Sequence, residues 1–306
     1  MPPEQSLLAR LWIYQSERFP LFAHGILIAS FCFSAIAYSR ICRGAEGFVA
    51  LYDYLLGIFM CVSLFLLVRI FDEFKDKDDD AQHRPHLPVP RGLVRLAELR
   101  TVGIVVVVVQ IAVQLAFAPK MLIFYVLVMG YLCLMGKEFF RAEWLKEHPF
   151  WYVTSHMVII PLVDIYASGL DWHLENVLPH KGLLFFFLVS YCNGIVLEIG
   201  RKIRTPEQDE FNTYSTMLGA EKATKLWILV LFGTLLTSFA AAIYAGYGLL
   251  GCVILGFCFL VCAAQGWLFL SHKTAKSAKR IEYASAFWTI AMYLTLGGIP
   301  MLMRLF

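Results

Sequence analysis

Charge is scarce in this chain of 306 residues. Charged residues make up 16% of it and hydrophobic residues 59%, whereas soluble proteins carry about 25% charged residues. The net charge is only +3, and runs of five or more basic residues, which attract nucleic acid, are missing. The composition therefore excludes a water-soluble globular protein and argues against a nucleic-acid partner.

Other common sequence signals are also missing. The eight cysteines form no Cys-x-x-Cys pair and lie mostly inside apolar runs, so they predict neither a disulfide framework nor a zinc site. Low-complexity stretches, Gly/Ser linkers and strong repeats are not found. No small-residue cleavage pattern follows the first apolar run, so this run is expected to remain as a membrane span. A single polytopic membrane domain over residues 1–306 is expected.

Long apolar runs with charges only at their ends dominate the sequence. Each is close to the length of about 20 residues that a helix needs to cross a bilayer. The pattern predicts an all-α integral membrane protein, a bundle of nine transmembrane helices. The predicted spans are 20–39, 48–70, 97–118, 121–136, 149–168, 183–199, 226–246, 248–270 and 284–303.

The basic residues are distributed unevenly between the predicted loops. Nine spans place the two termini on opposite sides of the membrane, and most of the 26 lysine and arginine residues then fall on the N-terminal side. By the positive-inside rule this side is cytoplasmic. We therefore expect a cytoplasmic N-terminus, cytoplasmic loops at about 71–96 and 200–225, and a C-terminus on the opposite side.

Acidic residues recur at the end of the second apolar run. Asp72, Asp76 and Asp80 follow one another at intervals of four residues, a spacing that places them on one side of a helix. Stacked carboxylates repel each other, and charge is costly beside the hydrocarbon edge, so a compensating cation is expected. Oxygen ligands suit Mg²⁺, which joins carboxylates to substrate phosphates. The stretch therefore indicates a site for Mg²⁺ and a diphosphate.

An alternative interpretation of this stretch is a solvated loop in which Lys75 and Lys77 neutralise the neighbouring aspartates. The residues that follow favour the site, because three prolines between residues 84 and 92 fix the backbone and Gly92 permits a sharp return into the third span. A loop that only solvates charge does not need this rigidity.

A second charged group lies at the end of the sixth run. Glu198, Arg201 and Lys202 are spaced at i, i+3 and i+4, so one helical face presents a carboxylate beside two cations. The predicted topology places Glu198 at about the depth of Asp72 and Asp76, which favours a shared site. The alternative is that Glu198 pairs locally with Lys202 and that the arginines only set the topology.

Polar residues inside the fifth and sixth spans are further candidates, because an ionisable or polar group within a membrane is often functional. His156 lies on the fifth span and is a candidate contact for an acceptor, although a lone histidine is more often a hydrogen-bonded core residue. Tyr191 and Asn193 precede Glu198 on its own helix and are candidates to line the cavity. Asp209 and Glu210 are candidates for a displaced acidic motif, although solvated loop residues fit them better.

These motifs resemble the first signature of the UbiA-type intramembrane prenyltransferases, N-D-x-x-D-x-x-x-D, followed by an arginine-containing loop and P-x-P-x-G. Here D-E-x-x-D-x-x-x-D runs from Asp72 to Asp80, Arg84 follows in the loop, and P-x-P-x-G runs from Pro88 to Gly92. The first two positions differ from the signature, and the loop is a few residues shorter. Of the family's second signature, D-x-x-x-D, this chain retains only the first acidic position.

The resemblance implies a UbiA-like bundle around a central cavity and a Mg²⁺-dependent enzyme. Such an enzyme transfers a prenyl group from an allylic prenyl diphosphate to a lipophilic acceptor of aromatic or quinone type. It implies catalytic roles for Asp72, Asp76, Asp80 and Glu198, with Glu73 as a further Mg²⁺ ligand. Arg201 or Lys202 is expected to replace one metal as a direct phosphate contact. Together with the polar residues of the fifth and sixth spans, the expected substrate-binding residues are Arg84, Arg91, His156, Tyr191, Asn193, Arg201 and Lys202.

Two other functions fit parts of the sequence. The same ionisation of a prenyl diphosphate ends in cyclisation in terpene-cyclase relatives. A non-catalytic membrane protein that binds or transports a cation is the alternative from another class, but acids spread through the bilayer midplane and helices broken in a repeat would mark it. The acids here cluster at one face, which favours the enzyme. The D-G-x-x-A-R pattern of CDP-alcohol phosphotransferases is not found.

Overall fold

The computed structural model describes residues 6–208 and 213–304. Within these residues the fold is all-helical, and nine helices are long and apolar enough to cross a membrane, which confirms the predicted fold class. The spans, numbered first to ninth, are Leu21–Cys42, Leu51–Lys75, Leu96–Phe117, Pro119–Gly136, Pro149–Trp172, Leu183–Gly200, Ala220–Tyr244, Gly248–Ser271 and Ala275–Met303.

Three of these helices extend well beyond the apolar runs that predict them. The second span continues to Lys75 instead of ending near 70, and the seventh and ninth begin at Ala220 and Ala275 instead of 226 and 284. The apolar run ends at the first charged residues. The helix continues beyond them because alanine, glutamate and lysine are strong helix formers. The extensions lie at one end of the bundle, which we call the charged face: the end where the second span finishes and the seventh and ninth begin.

The spans pack mainly beside their neighbours along the chain. The sixth to ninth spans contact one another in order, and the first span closes the bundle by packing against the second, fifth and ninth. The fifth span consists of two helical segments, Pro149–Met157 and Ile159–Trp172. Pro161 has no N–H to donate to the carbonyl of Met157, and this explains the interruption. The joint lies directly beside His156.

A helix that the hydropathy pattern does not indicate precedes the first span. Leu7–Arg18 begins with Ser6, whose side chain accepts a hydrogen bond from the N–H of Ala9. Arg10 then donates to the Leu93 carbonyl at 3.0 Å and forms an ion pair with Glu98 at 2.7 Å. These contacts hold the N-terminal helix against the start of the third span, at the charged face.

A dense ion cluster lies at the other end of the bundle. We call it the outer ion cluster: Arg40, Arg43, Asp171 and Glu175. Arg40 contacts Asp171 at 2.8 Å and Glu175 at 2.6 Å, and Arg43 contacts Asp171 at 2.6 Å and also pairs with Glu175. Asp171 is fully buried and accepts a further hydrogen bond from Ser39 at 2.7 Å. The cluster ties the end of the first span to the end of the fifth.

Candidate active site

A cavity of about 210 Å³ opens at the charged face, between the ends of the second, fifth and sixth spans. Charged side chains make up most of its lining, and a few apolar and aromatic side chains complete it. The charged residues are Arg18, Arg69, Asp72, Lys75, Asp76, Asp79, Asp80, Arg84, Glu198, Arg201 and Lys202; the others are Val68, Met135, Tyr152, His156, Met157 and Ile159.

Carboxylates from two distant segments of the chain meet at this cavity. Asp72, Asp76 and Asp80 approach from the second span and the short helix Lys77–His83, and Glu198 approaches from the end of the sixth span. Asp76 lies between the two helices as the C-cap of one and the N-cap of the next. The structure thus brings both acidic groups of the sequence to one cavity.

Glu198 is held by the two cations that follow it on its own helix. Its carboxylate accepts a hydrogen bond from Arg201 Nε at 2.7 Å and contacts Lys202 Nζ at 2.8 Å. The negative charge of Glu198 raises the pKa of Arg201 above its ordinary value. Both carboxylate oxygens therefore have a cationic partner, and both cations line the cavity.

Asp80 also has close cationic partners. It is 3% exposed, and its two oxygens lie 3.1 Å from Arg84 and 3.7 Å from Arg18. Arg18 comes from the N-terminal helix, so this ion pair joins two segments that are far apart in sequence. The contact helps to keep Asp80 at the cavity wall.

Asp72 and Asp76 are held much more loosely. Each lies 3.6 Å from Lys75, and Asp72 lies 3.9 Å from Arg69. Their side chains are 26% and 35% exposed, and burial raises the pKa of Asp76 above its ordinary value. These two carboxylates thus keep lone pairs available to a cation that enters the cavity.

Sequence reasoning did not assign Asp79, three cations and a tyrosine to the site, although all of them line the cavity. Arg18 lies on a helix without any motif, and nothing in the sequence relates it to the acidic stretch. Arg69 and Lys75 lie about one helical turn from the aspartates. This spacing could have indicated that they share the site. Lys75 Nζ is 2.5 Å from the hydroxyl of Tyr152, which connects the second and fifth spans across the cavity.

Glu73 and Arg91 lie away from the cavity lining. Glu73 is 2% exposed and lies 2.6 Å from Arg18 Nε and 3.3 Å from Arg69. Arg91 forms an ion pair with Glu17 at 2.7 Å, at the surface. The structure places both residues in contacts with the N-terminal helix and its neighbours.

Asn193 and Tyr191 also lie outside the lining. Asn193 is buried, and its amide donates to the hydroxyl of Thr289 at 3.1 Å. The Tyr191 hydroxyl donates to the Thr154 carbonyl at 3.2 Å. Both connect the sixth span to neighbouring spans. Asp209 and Glu210 lie outside the described residues.

The acids fit a Mg²⁺ ion that is shared with a ligand. Within residues 6–208 and 213–304, no group of three or more His, Cys, Asp or Glu side chains is arranged to hold a metal by itself. Mg²⁺ is usually held by one or two carboxylates together with waters and substrate phosphates, not by a cage of protein ligands. The available lone pairs of Asp72 and Asp76 match this requirement.

The fold and the cavity together define a multi-pass membrane protein with a charged site at the helix ends. The model of the UbiA prenyltransferase family matches residues 30–291, and the chain therefore belongs to this family. Membership supports a membrane prenyltransferase, in agreement with the resemblance of its motifs.

A solved structure shares this architecture. It comes from work on "digeranylgeranylglyceryl phosphate synthase in membranes"; the TM-score is 0.59, with 16% sequence identity over 95% of this chain and 99% of that one. At this identity the likeness shows the fold alone. No curated protein matches the chain by sequence.

Proposed function

We propose that this protein is a Mg²⁺-dependent prenyltransferase that transfers a prenyl group from an allylic prenyl diphosphate to a lipophilic acceptor. The observation that carries the proposal is the mixed lining of one cavity: carboxylates and cations from the helix ends meet there with apolar side chains, of which Met157 and Ile159 lie inside the fifth span. A prenyl diphosphate likewise has a charged head and an apolar chain. We further propose that the charged face is cytoplasmic, because the loops there carry most of the lysines and arginines.

Asp72 and Asp76 are the residues that would hold Mg²⁺, with Asp80 and Glu198 nearby. We choose these two because their carboxylates are only loosely paired with cations, at 3.6 Å or more. The carboxylate of Glu198, in contrast, has two cationic contacts below 3 Å. When bound, Mg²⁺ supplies positive charge that offsets the charge of the diphosphate.

The cations of the cavity wall would bind the diphosphate directly. Six arginine and lysine side chains line the cavity with five carboxylates, so the lining does not repel an anion. Arg201 and Lys202 are fixed by Glu198 and present charged N–H donors at the site where negative charge grows as the carbon–oxygen bond breaks. This preorganisation lowers the barrier to ionisation.

The apolar residues of the lining suit the prenyl chain. They are Val68, Met135, Met157 and Ile159. Burial of an apolar chain against these residues is favourable and keeps water away from the allylic cation. The aromatic ring of Tyr152 also lines the cavity and would stabilise positive charge nearby.

The test is incubation of the purified protein in lipid nanodiscs with geranyl, farnesyl and geranylgeranyl diphosphates, with Mg²⁺ or with a chelator. We expect Mg²⁺-dependent release of pyrophosphate and a prenylated lipid product when membrane lipid extract is added. Cyclic hydrocarbons would instead indicate a cyclase. Pyrophosphate release that is absent with every diphosphate, or unchanged by the chelator, would contradict the proposal.

A further inference from the structure

One imidazole in the cavity has a fixed orientation. His156 is 6% exposed and lines the cavity. Its Nδ1 lies 2.8 Å from the carbonyl oxygen of Tyr152, one turn earlier on the same helix. The ring also stacks on Tyr152 at 4.1 Å between centroids and meets the edge of Phe139 at 5.8 Å. Packing on two sides and one short hydrogen bond leave the ring little freedom to turn.

The hydrogen bond assigns the proton of the neutral ring. A carbonyl oxygen only accepts, so Nδ1 must carry the hydrogen, and Nε2 then keeps its lone pair. Nε2 of His156 is buried and has no hydrogen-bond partner among the described residues. A buried polar atom without a partner is costly and calls for a functional explanation. In this tautomer Nε2 accepts a hydrogen bond but cannot donate one to a diphosphate.

His156 lies inside the fifth span, away from the end where this span begins. It lies about 10 Å along the fifth span from Pro149, at 1.5 Å per residue, and its neighbours Met157 and Ile159 belong to the apolar lining. His156 therefore lies on the cavity wall beside two apolar residues of the lining.

We propose that His156 is the general base of the transfer reaction and that the acceptor is a lipophilic alcohol or phenol. This inference rests on the proposed function. The carbon–oxygen bond of the prenyl diphosphate breaks, and the electron pair leaves with pyrophosphate. The acceptor forms the new bond to the allylic carbon, and its hydroxyl or ring proton passes to Nε2 of His156. No oxidant or further reactant is needed.

The first experiment measures how tightly ionisation is coupled to transfer. Wild type, His156→Gln and His156→Phe in nanodiscs receive geranylgeranyl diphosphate and Mg²⁺, with hexadecanol or naphthol as the probe acceptor. We expect the ratio of prenylated probe to pyrophosphate to fall at least about tenfold in both variants, because a general base contributes about 10²–10⁴-fold. An unchanged ratio would overturn the proposal, and so would an equal loss of pyrophosphate release and transfer caused by weaker diphosphate binding.

His148→Gln is the matched control. The Nδ1 of His148 also lies 2.8 Å from a carbonyl one turn earlier, that of Trp144, and its ring stacks on this tryptophan at 4.4 Å. His148 is outside the cavity lining. The same local change at the surface should leave the ratio unchanged. If the ratio of prenylated probe to pyrophosphate also fell in this control, the ratio would depend on the local helix structure and not on a base at His156.

The second experiment needs no acceptor. Solid-state NMR of the protein with isotope-labelled histidine reports which ring nitrogen carries the proton, and the difference between wild type and His156→Gln identifies the His156 signal. We expect the neutral tautomer with hydrogen on Nδ1 and a bare Nε2, at neutral pH. A proton on Nε2 would overturn the proposed role even where pyrophosphate release confirms the prenyltransferase. A wild type that ionises no diphosphate would instead refute the proposed function, whatever the tautomer.

Discussion

The two ends of the bundle each hold a group of acids and cations, but the groups are built differently. In the outer ion cluster, Asp171 is fully buried, and its contacts with Arg40 and Arg43 are 2.8 Å and 2.6 Å. In the cavity, Asp72 and Asp76 stand 3.6 Å or more from their cations and remain partly exposed. Both ends combine carboxylates with basic side chains, but the burial of these carboxylates and the length of their contacts differ.

This difference separates a structural role from a binding role. A buried carboxylate whose lone pairs are all used stabilises its surroundings, since removal of a partner leaves an uncompensated charge. A carboxylate beside a cavity that keeps free lone pairs adds little to stability and is available for a ligand. Changes at the two ends should therefore have opposite effects on stability and activity.

The largest expected effect is on activity at the charged face. Asp76→Asn should lower Mg²⁺-dependent pyrophosphate release at least about 100-fold, the scale of losing a preorganised electrostatic contact. The thermal unfolding midpoint should stay nearly unchanged, because Asp76 has only long contacts. Asp78→Asn is the control: it makes the same charge change two residues further on, in the short helix that Asp76 precedes, at a side chain that is 91% exposed. Turnover like that of wild type in Asp76→Asn would refute the assignment.

The next effect is on stability at the opposite end. Asp171→Asn should lower the free energy of unfolding by about 3–5 kcal/mol, because Arg40 and Arg43 then lose a buried partner. Denaturant unfolding in detergent micelles measures this change, and pyrophosphate release per folded molecule should remain. Glu175→Gln should cost less, since Glu175 is 44% exposed. An Asp171→Asn protein as stable as wild type would remove the distinction between the two clusters.

The nine spans could be predicted from the sequence because bilayer crossing depends on length and apolar composition, which are local properties. The sequence also predicts that the two acidic groups meet, because the topology places the ends of the second and sixth spans at one face of the membrane. Helix ends could not be placed as well, because hydropathy does not register charged helical turns such as residues 220–225.

The detailed roles of the charges depended on distances that a sequence does not contain. Glu73 belongs to the same motif as Asp72, but consecutive residues on a helix point about 100° apart, and Glu73 instead meets Arg18 of the N-terminal helix. Nothing local in the sequence predicts that this helix folds back over the charged face. The fixed tautomer of His156 likewise needs the carbonyl position of Tyr152.

A smaller effect is expected from one cation of the cavity wall. Lys202→Ala should weaken geranylgeranyl diphosphate binding about tenfold, as expected for one charge-assisted contact. Acceptor affinity should change little, because Lys202 lies beside Glu198 at the helix end that we assign to the diphosphate. Equilibrium binding of labelled diphosphate in nanodiscs measures the first quantity, with Lys222→Ala, an exposed position outside the lining, as the control. A change confined to the acceptor would contradict this role.

The smallest effect is expected at Arg91, which the motif resemblance assigns to substrate binding. Its guanidinium contacts Glu17 at 2.7 Å and the His86 carbonyl at 2.7 Å, at the surface and away from the cavity lining. Arg91→Ala should therefore cost less than about 1 kcal/mol of stability, the range of exposed ion pairs, and should leave diphosphate binding unchanged. The binding assay used for Lys202→Ala decides this point. A clear loss of affinity would mean that the loop at 84–92 moves Arg91 into the site when the diphosphate binds, and the cavity wall would then include a seventh cation.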